Sequence, residues 1–492
     1  MCGRQLLYKH DGKRQGNDTR LLVTIFVCLV GGVLVCVGFW HIAGTHTNAV
    51  YVTVLTKKVL QIVDEKFLSL GLDSSKICDG WVNRNIRSEK LVKLANMLSP
   101  GYLRVGGTLA DRLVFVPDSD TRYSSLEEDL KEKCTPQNTS FFNMSASDWI
   151  GLNEFAQNAQ LHLLFDLNVL LRTDSQWNDS NARVLLNFSD KRDYIINWQL
   201  GNEPNAFRHV FGISVPGETL GHDFNNLREL LDEYPRYKKS ILIGPDVTRP
   251  VQRVSLEESP TLYLSEFLKV ANSSINAISW HQYYVNGRKA KLSDFVKPHV
   301  LNILSWQISA IKASMSGVTL PMWLSETSSA YGGGAPKLSD RFVAGFMWLD
   351  KLGLAARMGV SVVIRQSLIG GNYALLDDLM NPLPDWWLSV LYKQLVGRGV
   401  LEVLGATEHV RIYSHCSRHE NAVTLFGMNL SNLPSLITVS GLPTTSRVLT
   451  YILTCDVFSR LNMCCSMKRD CNLTQTDLCH HFNHKLRTLQ NL

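Results

Sequence analysis

Along most of the chain, short runs of apolar and β-branched residues that end in polar groups alternate with longer stretches whose apolar residues recur every three or four positions. The first kind fits buried parallel strands, and the second fits the inner faces of helices. Candidate strands are 59–63, 102–105, 162–165, 195–200, 241–243, 277–280, 322–324 and 360–364, and candidate helices include 88–97, 145–157, 262–270, 300–314 and 340–358. Strand followed by helix, eight times over, predicts a (β/α)8 TIM barrel, with an open doubly wound sheet as the competing arrangement. The polar residues discriminate between the two. Nearly every candidate strand ends in groups able to do chemistry: Asp64, then Gly106 to Thr108, Asp166 and Asn168, Asn202 and Glu203, Asp246, His281 to Tyr284, Glu326, and Arg365 with Gln366. Barrels build their sites at the carboxyl ends of the strands, so this distribution favours an α/β barrel with one shared mouth.

The texture changes at both ends of this repeat. After about Pro384, 386–396 reads as a closing helix and 410–413, 422–427, 436–439 and 447–452 read as strands of a C-terminal β-sandwich, to which 49–55 can add one. The expected division is a catalytic barrel over 56–397 and a sandwich-like unit made of 44–55 plus 398–492, whose end is poor in strand signals. Ahead of it, Leu21 to Ala43 is uncharged and follows Arg4, Lys9, Lys13, Arg14 and Arg20. At about 1.5 Å per residue such a helix crosses a hydrocarbon core of about 30 Å. This predicts a cytosolic basic tail over 1–20 and a transmembrane signal-anchor over 21–43, with the rest luminal or extracellular. A cleaved signal peptide is the alternative, but the long basic lead and the long apolar run argue against it. Either reading places the chain in the secretory pathway, type II membrane-bound or secreted, with the lysosome as a further destination. Sequons at Asn138, Asn143, Asn178, Asn187, Asn272, Asn429 and Asn472 fit that compartment, as does the even number of cysteines beyond the span, whose pairing stays open.

Composition narrows the function classes. With 45% hydrophobic and 19% charged residues the chain is not of the disordered type, and a net charge of +6 without a basic run gives no support for a nucleic-acid partner. No repeat of 20 to 50 residues marks a solenoid. Gly332, Gly333 and Gly334 lack the Lys-Ser/Thr of a phosphate loop and suit a backbone brought close to a sugar. No metal-ligand spacing occurs in the barrel region, and Cys464 to His481 is better matched to disulfides. Neither a metal nor an organic cofactor is expected, and the chain is expected to be a monomer.

Two glutamates carry the candidate chemistry. Glu203 follows the fourth strand in Gly201-Asn202-Glu203-Pro204, and Glu326 ends the seventh in Trp323-Leu324-Ser325-Glu326-Thr327. Strands four and seven face each other across a barrel mouth. Glycoside hydrolysis uses such a pair, one carboxylic acid protonating the leaving oxygen and a second carboxylate attacking the anomeric carbon when the two stand about 5 to 5.5 Å apart. Asn202 is placed for a sugar 2-hydroxyl and Tyr283 for orienting Glu326, while His281 is either a substrate ligand or a buried hydrogen-bonding histidine. By itself an Asn-Glu-Pro tripeptide is more often a turn. Its weight comes from the second glutamate and the barrel pattern.

The stretch from Leu324-Ser325-Glu326-Thr327-Ser328-Ser329-Ala330-Tyr331 through Gly332-Gly333-Gly334-Ala335-Pro336 resembles the heparanase family of endo-β-glucuronidases that cleave heparan sulfate. Leu103-Arg104-Val105-Gly106-Gly107-Thr108, Gly244-Pro245-Asp246-Val247 and Trp280-His281-Gln282-Tyr283-Tyr284 are similar to it as well, and the resemblance spans roughly 50–455. It implies a barrel plus β-sandwich, Glu203 as acid/base, Glu326 as nucleophile, and a glucuronate-containing polysaccharide as partner. It also implies that Asp64, Thr108, Asn202, Tyr283, Arg288, Gly332, Gly333, Gly371 and Tyr373 line the sugar sites. Arg288 has independent sense, since a guanidinium pairs with sulfate or carboxylate as a fork. Two departures weaken the polyanion expectation: 124–138 is short and partly acidic, and a basic run after Pro250 is reduced to Arg253 beyond Arg249. An exo-acting β-glucuronidase on shorter glycans and a non-catalytic heparan-sulfate binder are the alternatives. Family-like strands are not recognisable after about Asp456.

Overall fold

The computed structural model describes residues 48–455, apart from 82–84, 119–133, 136–137, 139 and 443–447, together with the strand Cys465–Asp470. The uncharged run 21–43, the sequon at Asn472 and the Cys/His-containing end lie outside the described residues. No helix among the described residues is long and apolar enough to cross a membrane.

A long first strand, β1 (Asn48–Ile62), precedes eight parallel strands: β2 (Leu68–Asp73), β3 (Gly101–Gly106), β4 (Leu161–Leu167), β5 (Ile196–Leu200), β6 (Leu242–Val247), β7 (Ala277–Gln282), β8 (Met322–Thr327) and β9 (Val360–Arg365). They close into a barrel in chain order, β9 pairing back onto β2. Strands covered on both faces read as nearly continuous apolar runs, because helices pack outside and side chains fill the inside. Inward-facing Tyr102, Leu164, Ile243, Ala277, Trp323, Val362 and Ile364 form the floor, with the Tyr102 and Trp323 rings 4.7 Å apart. One turn of the pleat higher, the same inward faces carry Arg104 and Asp166, both buried. The barrel is thus apolar at its amino end and charged at its carboxyl end.

The segment 59–63, expected as the first barrel strand, belongs to β1 instead, where Val59, Gln61 and Ile62 pair antiparallel with Leu401, Val400 and Gly399. The first barrel strand is β2. Asp64 consequently sits at the amino end of the barrel, its backbone N–H donating to Ser361 and its side chain accepting from the Lys66 amide at 2.7 Å. That is the face opposite the mouth, so Asp64 cannot line the sugar site. The carboxylate at the carboxyl end of β2, on the side of the mouth, is Asp73.

After the barrel come β10 (Val396–Leu404), β11 (Val410–Ser417), β12 (Val423–Asn429) and β13 (Ser435–Ser440), which join β1 in a five-stranded sheet of order β12-β11-β10-β1-β13. Only the β1–β13 pairing is parallel. Val50, Val52, Val54, Leu401, Val403, Val410 and Ile412 form the sheet's own apolar cluster. A two-stranded pair, Thr450–Cys455 with Cys465–Asp470, follows. A disulfide joins Cys78, after β2, to Cys134.

The sheet docks on the helix Ala344–Arg357, which connects β8 to β9. Buried Asp350 on that helix accepts from Tyr413 Oη at 2.6 Å and pairs with Arg411 at 3.1 Å. Gly353 lets the two surfaces meet: a Cβ there would stand 2.2 Å from the Tyr413 ring. Gly353→Ala should therefore cost about 1–3 kcal/mol by overpacking. Denaturant unfolding of the purified variant measures it, and an unchanged midpoint would show that the ring steps aside freely.

Candidate active site

The mouth is organised around one buried cation. Arg104 donates from Nη1 to Glu326 Oε2 at 2.8 Å, from Nη2 to Asn202 Oδ1 at 2.8 Å and Asp246 Oδ2 at 2.6 Å, and from Nε to Gln199 Oε1 at 3.1 Å. Its position follows from strand parity, two residues above Tyr102 on the inward face of β3. Asp246, at the carboxyl end of β6, also accepts from Gln199 Nε2 at 2.5 Å and from Ser325 Oγ. His281, at the end of β7, joins the two halves: Nε2 lies 2.7 Å from Asp246 Oδ2 and Nδ1 lies 2.8 Å from Glu203 Oε1.

The two glutamates differ in their surroundings. Glu326 is nearly buried and held on both oxygens, by Arg104 on Oε2 and by Tyr283 Oη on Oε1 at 2.7 Å. Glu203 has a 31% exposed side chain and His281 as its partner. Its backbone is left-handed at φ 54, an uncommon state for a non-glycine residue, and its N–H donates to the Asp246 carbonyl at 3.1 Å. His281 Nδ1 is 4.0 Å from Glu326 Oε1 as well as 2.8 Å from Glu203 Oε1. The Oε1 atoms of the two carboxylates therefore lie no more than about 7 Å apart, a separation at which a glycosidic bond fits between them.

Burial and charge act against each other throughout. Burial by itself disfavours an imidazolium, but Asp246 and Glu326 and the hydrogen bonds to Asp246 and Glu203 outweigh it, and His281 is pushed up to about 10. Burial likewise favours a neutral Asp246, yet Arg104 and His281 hold its carboxyl well below the usual carboxylate range. Asp166 and Asp111 are the opposite case: burial raises both, Asp111 to about 8, and the proximity of Asp111 raises Asp166 further. Asp111 still serves the site, accepting from the Asn202 N–H at 3.0 Å. Because His281 has a folded value near 10 and an ordinary value of about 6.5, its stabilisation is complete below that ordinary value and is lost as pH rises through the folded one. The stability of the native chain minus that of His281→Asn should thus shrink steadily from neutral pH toward pH 10 in matched denaturant titrations. Parallel curves would mean that the imidazole is neutral in the fold.

The remaining expected residues fall in two groups. Thr108 follows β3 at the start of a short 3-10 helix, half-buried. Tyr283 stacks on Tyr373 with ring centroids 6.2 Å apart, and Gly332, Gly333 and Gly371 all have positive φ in the loops beside them. These loops are tied together, the Asn372 N–H donating to the Gly333 carbonyl at 2.7 Å. Arg365 anchors the second loop by donating to the Tyr373 carbonyl at 2.8 Å and pairing with Asp385. Arg288, in the loop after β7, is exposed. Of the sequons, Asn143, Asn187 and Asn272 are exposed, whereas Asn138, Asn178 and Asn429 are half-buried, and the last two donate their side-chain N–H groups to Thr173 and Leu433. Arg104, Gln199 and Asp73 are residues of the mouth that the sequence reading left out, and Asp246 was read only as one of the polar strand ends. Arg104 and Gln199 are each a polar residue on the inward face of a largely apolar strand. Asp73 accepts from Gln366 Nε2 at 3.1 Å, and burial raises its carboxyl. Among the described residues no group of three or more His, Cys, Asp and Glu is arranged to hold a metal ion.

Comparison with known proteins agrees with this geometry. The family described as "Glycosyl hydrolase family 79, N-terminal domain" matches residues 53–353. Heparanase of Gallus gallus is 41% identical over 75% of this chain and 78% of its own length. Inactive heparanase-2 of Homo sapiens is 35% identical over 79% and 76%, and hyaluronoglucuronidase of Hirudo nipponia 32% identical over 77% and 83%. Among solved structures, a 4-O-α-L-rhamnosyl-β-D-glucuronidase from Fusarium oxysporum superposes with a TM-score of 0.56 at 15% identity, over 81% of this chain and 85% of that one. A family 51 α-L-arabinofuranosidase from Bifidobacterium longum reaches 0.60 at 11%, over 86% and 95%. The last two share the fold. With a barrel whose mouth presents paired glutamates, a family match across most of the barrel and these sequence relatives, the chain belongs to glycosyl hydrolase family 79 as a divergent relative of the heparanases.

Proposed function

We propose that this protein is a retaining glycoside hydrolase that cleaves internal β-glucuronidic bonds of heparan sulfate or a related glucuronate-containing glycan. The observation that carries the reading is the unequal setting of the two glutamates. Glu326 is clamped by Arg104 and Tyr283, which hold a carboxylate aimed at one point. Glu203 is more open and accepts from His281 through Oε1, which leaves Oε2 to carry the transferable proton. In the first step Glu326 attacks the anomeric carbon while Glu203 protonates the departing glycosidic oxygen. In the second, Glu203 takes a proton from water as water displaces the Glu326 ester, so configuration is retained. Asn202, fixed by Arg104 and Asp111, offers its side-chain N–H groups to the sugar 2-hydroxyl.

The glucuronate preference is supported by the relatives, heparanases and a hyaluronoglucuronidase, and by Gly332 and Gly333, beside which the space that a Cβ would take is open. In this reading the chain acts as a monomer, and the 21–43 run anchors it with the barrel luminal or extracellular. The test is to incubate full-length protein with long heparan sulfate and with hyaluronan and to size the products over time. Early fragments of intermediate length support internal cleavage. Release of single glucuronate residues would replace endo with exo action, and intact polymer in both digests would overturn the reading.

A further inference from the structure

Glu326 stands on an irregular part of its strand. Toward β9 the pairing runs from Leu324–Val363 directly to Thr327–Arg365, and toward β7 it slips between Trp280–Leu324 and His281–Glu326. Ser325 is therefore unpaired on both sides, and Glu326 is paired toward β7 alone, so the regular sheet holds the base of the carboxylate from one side only. Bulges of this kind re-aim side chains next to active sites, but something must then hold the bulge.

Behind it lies a lysine that the proposed chemistry does not use. Lys351, on the helix Ala344–Arg357, is 1% exposed and reaches the strand end from outside the barrel. Its Nζ donates to Thr327 Oγ1 at 2.5 Å and to the Ser328 carbonyl at 2.6 Å, and it lies 4.6 Å from the centre of the Tyr284 ring. Both acceptors belong to the two residues directly after Glu326, and both residues are buried. The opposite side of that segment is held too, Thr327 Oγ1 donating to the Gln282 carbonyl and the Thr327 carbonyl accepting from the Gln366 N–H. No carboxylate among the described residues lies within ion-pair distance of Lys351, so its buried amine is spent on one hydroxyl and one carbonyl of the segment beyond the nucleophile. The helix itself cannot slide, because the adjacent Asp350 is tied to Arg411 and Tyr413 of the accessory sheet.

We propose that Lys351 is a positioning residue that pins the β8 bulge and thereby sets the line along which Glu326 attacks. The proposal rests on Glu326 being the nucleophile. Misplacing an attacking group by a fraction of its reach lowers reaction rate far more than affinity. The test is Lys351→Met in the full chain, treated with a 2-deoxy-2-fluoro-β-glucuronide bearing a good leaving group. The rate constant for covalent trapping should fall between about tenfold and a hundredfold, with half-saturation within about threefold of native and every molecule eventually labelled. Amide exchange at 326–329 should quicken while exchange in β10 and β11 stays as in the native protein. If the lysine only supports the fold, a smaller fraction of molecules would label at the native rate constant, and that result overturns the proposal. Unchanged trapping with unchanged exchange overturns it as well. If native protein is not labelled at Glu326, the retaining reading fails, and local exchange at 326–329 alone decides the role of Lys351. Should Lys351→Met not fold, Thr327→Val removes one of the two acceptors at constant shape and is expected to shift trapping in the same direction.

Discussion

Glu326→Gln should fold like the native chain and lose about three orders of magnitude or more in turnover of an aryl β-glucuronide. The amide keeps the shape of the side chain but cannot form the ester on which a two-step path depends. Stability should hold or fall slightly. Arg104 keeps Asp246 as its ion-pair partner, and the attraction of Glu326 for Arg104 and His281 that is lost is offset in part by the end of its repulsion of the buried Asp73 carboxyl. A thermal melt beside the rate assay separates loss of chemistry from loss of fold. Assigning roles needs a second arm. In Glu326→Ala, azide can enter the vacated side of the ring and displace the leaving group in one step, giving the α-azide. In Glu203→Ala the nucleophile remains, azide attacks the glycosyl-enzyme from the opposite side, and the β-azide results. Interchanged anomers would interchange the two roles, and native rates in Glu326→Gln would remove it from the reaction.

The charged layer beneath these glutamates explains what could be read from sequence and what could not. Strands such as 162–165 and 322–324 announce themselves because a strand covered on both sides must be apolar almost throughout. The same rule misdirects at 59–63. Val59 and Val63 look like a barrel strand, yet the run continues β1, and Leu68, Leu70 and Leu72 just beyond it have an equally good pattern. Which of two adjacent apolar runs joins the barrel is decided by partners far along the chain, Val363 to Arg365 for one and Gly399 to Leu401 for the other. That choice carries the acidic residue with it, so the carboxylate at the mouth is Asp73 and the one at the floor is Asp64.

Glu203 and Glu326 were legible because one stands just past a strand and the other at the end of its apolar run, at the carboxyl end where barrels place their chemistry. Arg104 and Gln199 lie within strands, and a single polar residue in an apolar run is locally indistinguishable from one that turns outward. Their roles appear only when β3, β5, β6 and β8 are brought around one axis. The Lys351 contact is harder still to foresee, because it joins a helix to the strand end before it through a buried amine.

Removing the central cation should be the most damaging single change to the fold. Arg104→Met keeps the bulk of the side chain but leaves Asp246 with His281, Gln199 and Ser325, leaves Glu326 with Tyr283 and the more distant His281, and takes the nearest cation from Asp166. Breaking a buried pair from one side costs about 3–5 kcal/mol, since the orphaned charges stay out of water. Guanidinium unfolding should show a loss of that order, and turnover should fall by roughly two orders of magnitude or more, because Asn202 and Glu326 both lose a fixed donor. Arg104→Lys is not a conservative control. One ammonium cannot reach Gln199, Asn202, Asp246 and Glu326 together, as the guanidinium does, so stability should be only partly restored and turnover should remain low. The decisive comparison is the double variant Arg104→Met with Asp246→Asn. Neutralising the orphaned aspartate should recover about 1–2 kcal/mol relative to Arg104→Met alone, a coupling expected for groups in contact or in one hydrogen-bond network. Strict additivity of the two losses would show that Arg104 and Asp246 act separately.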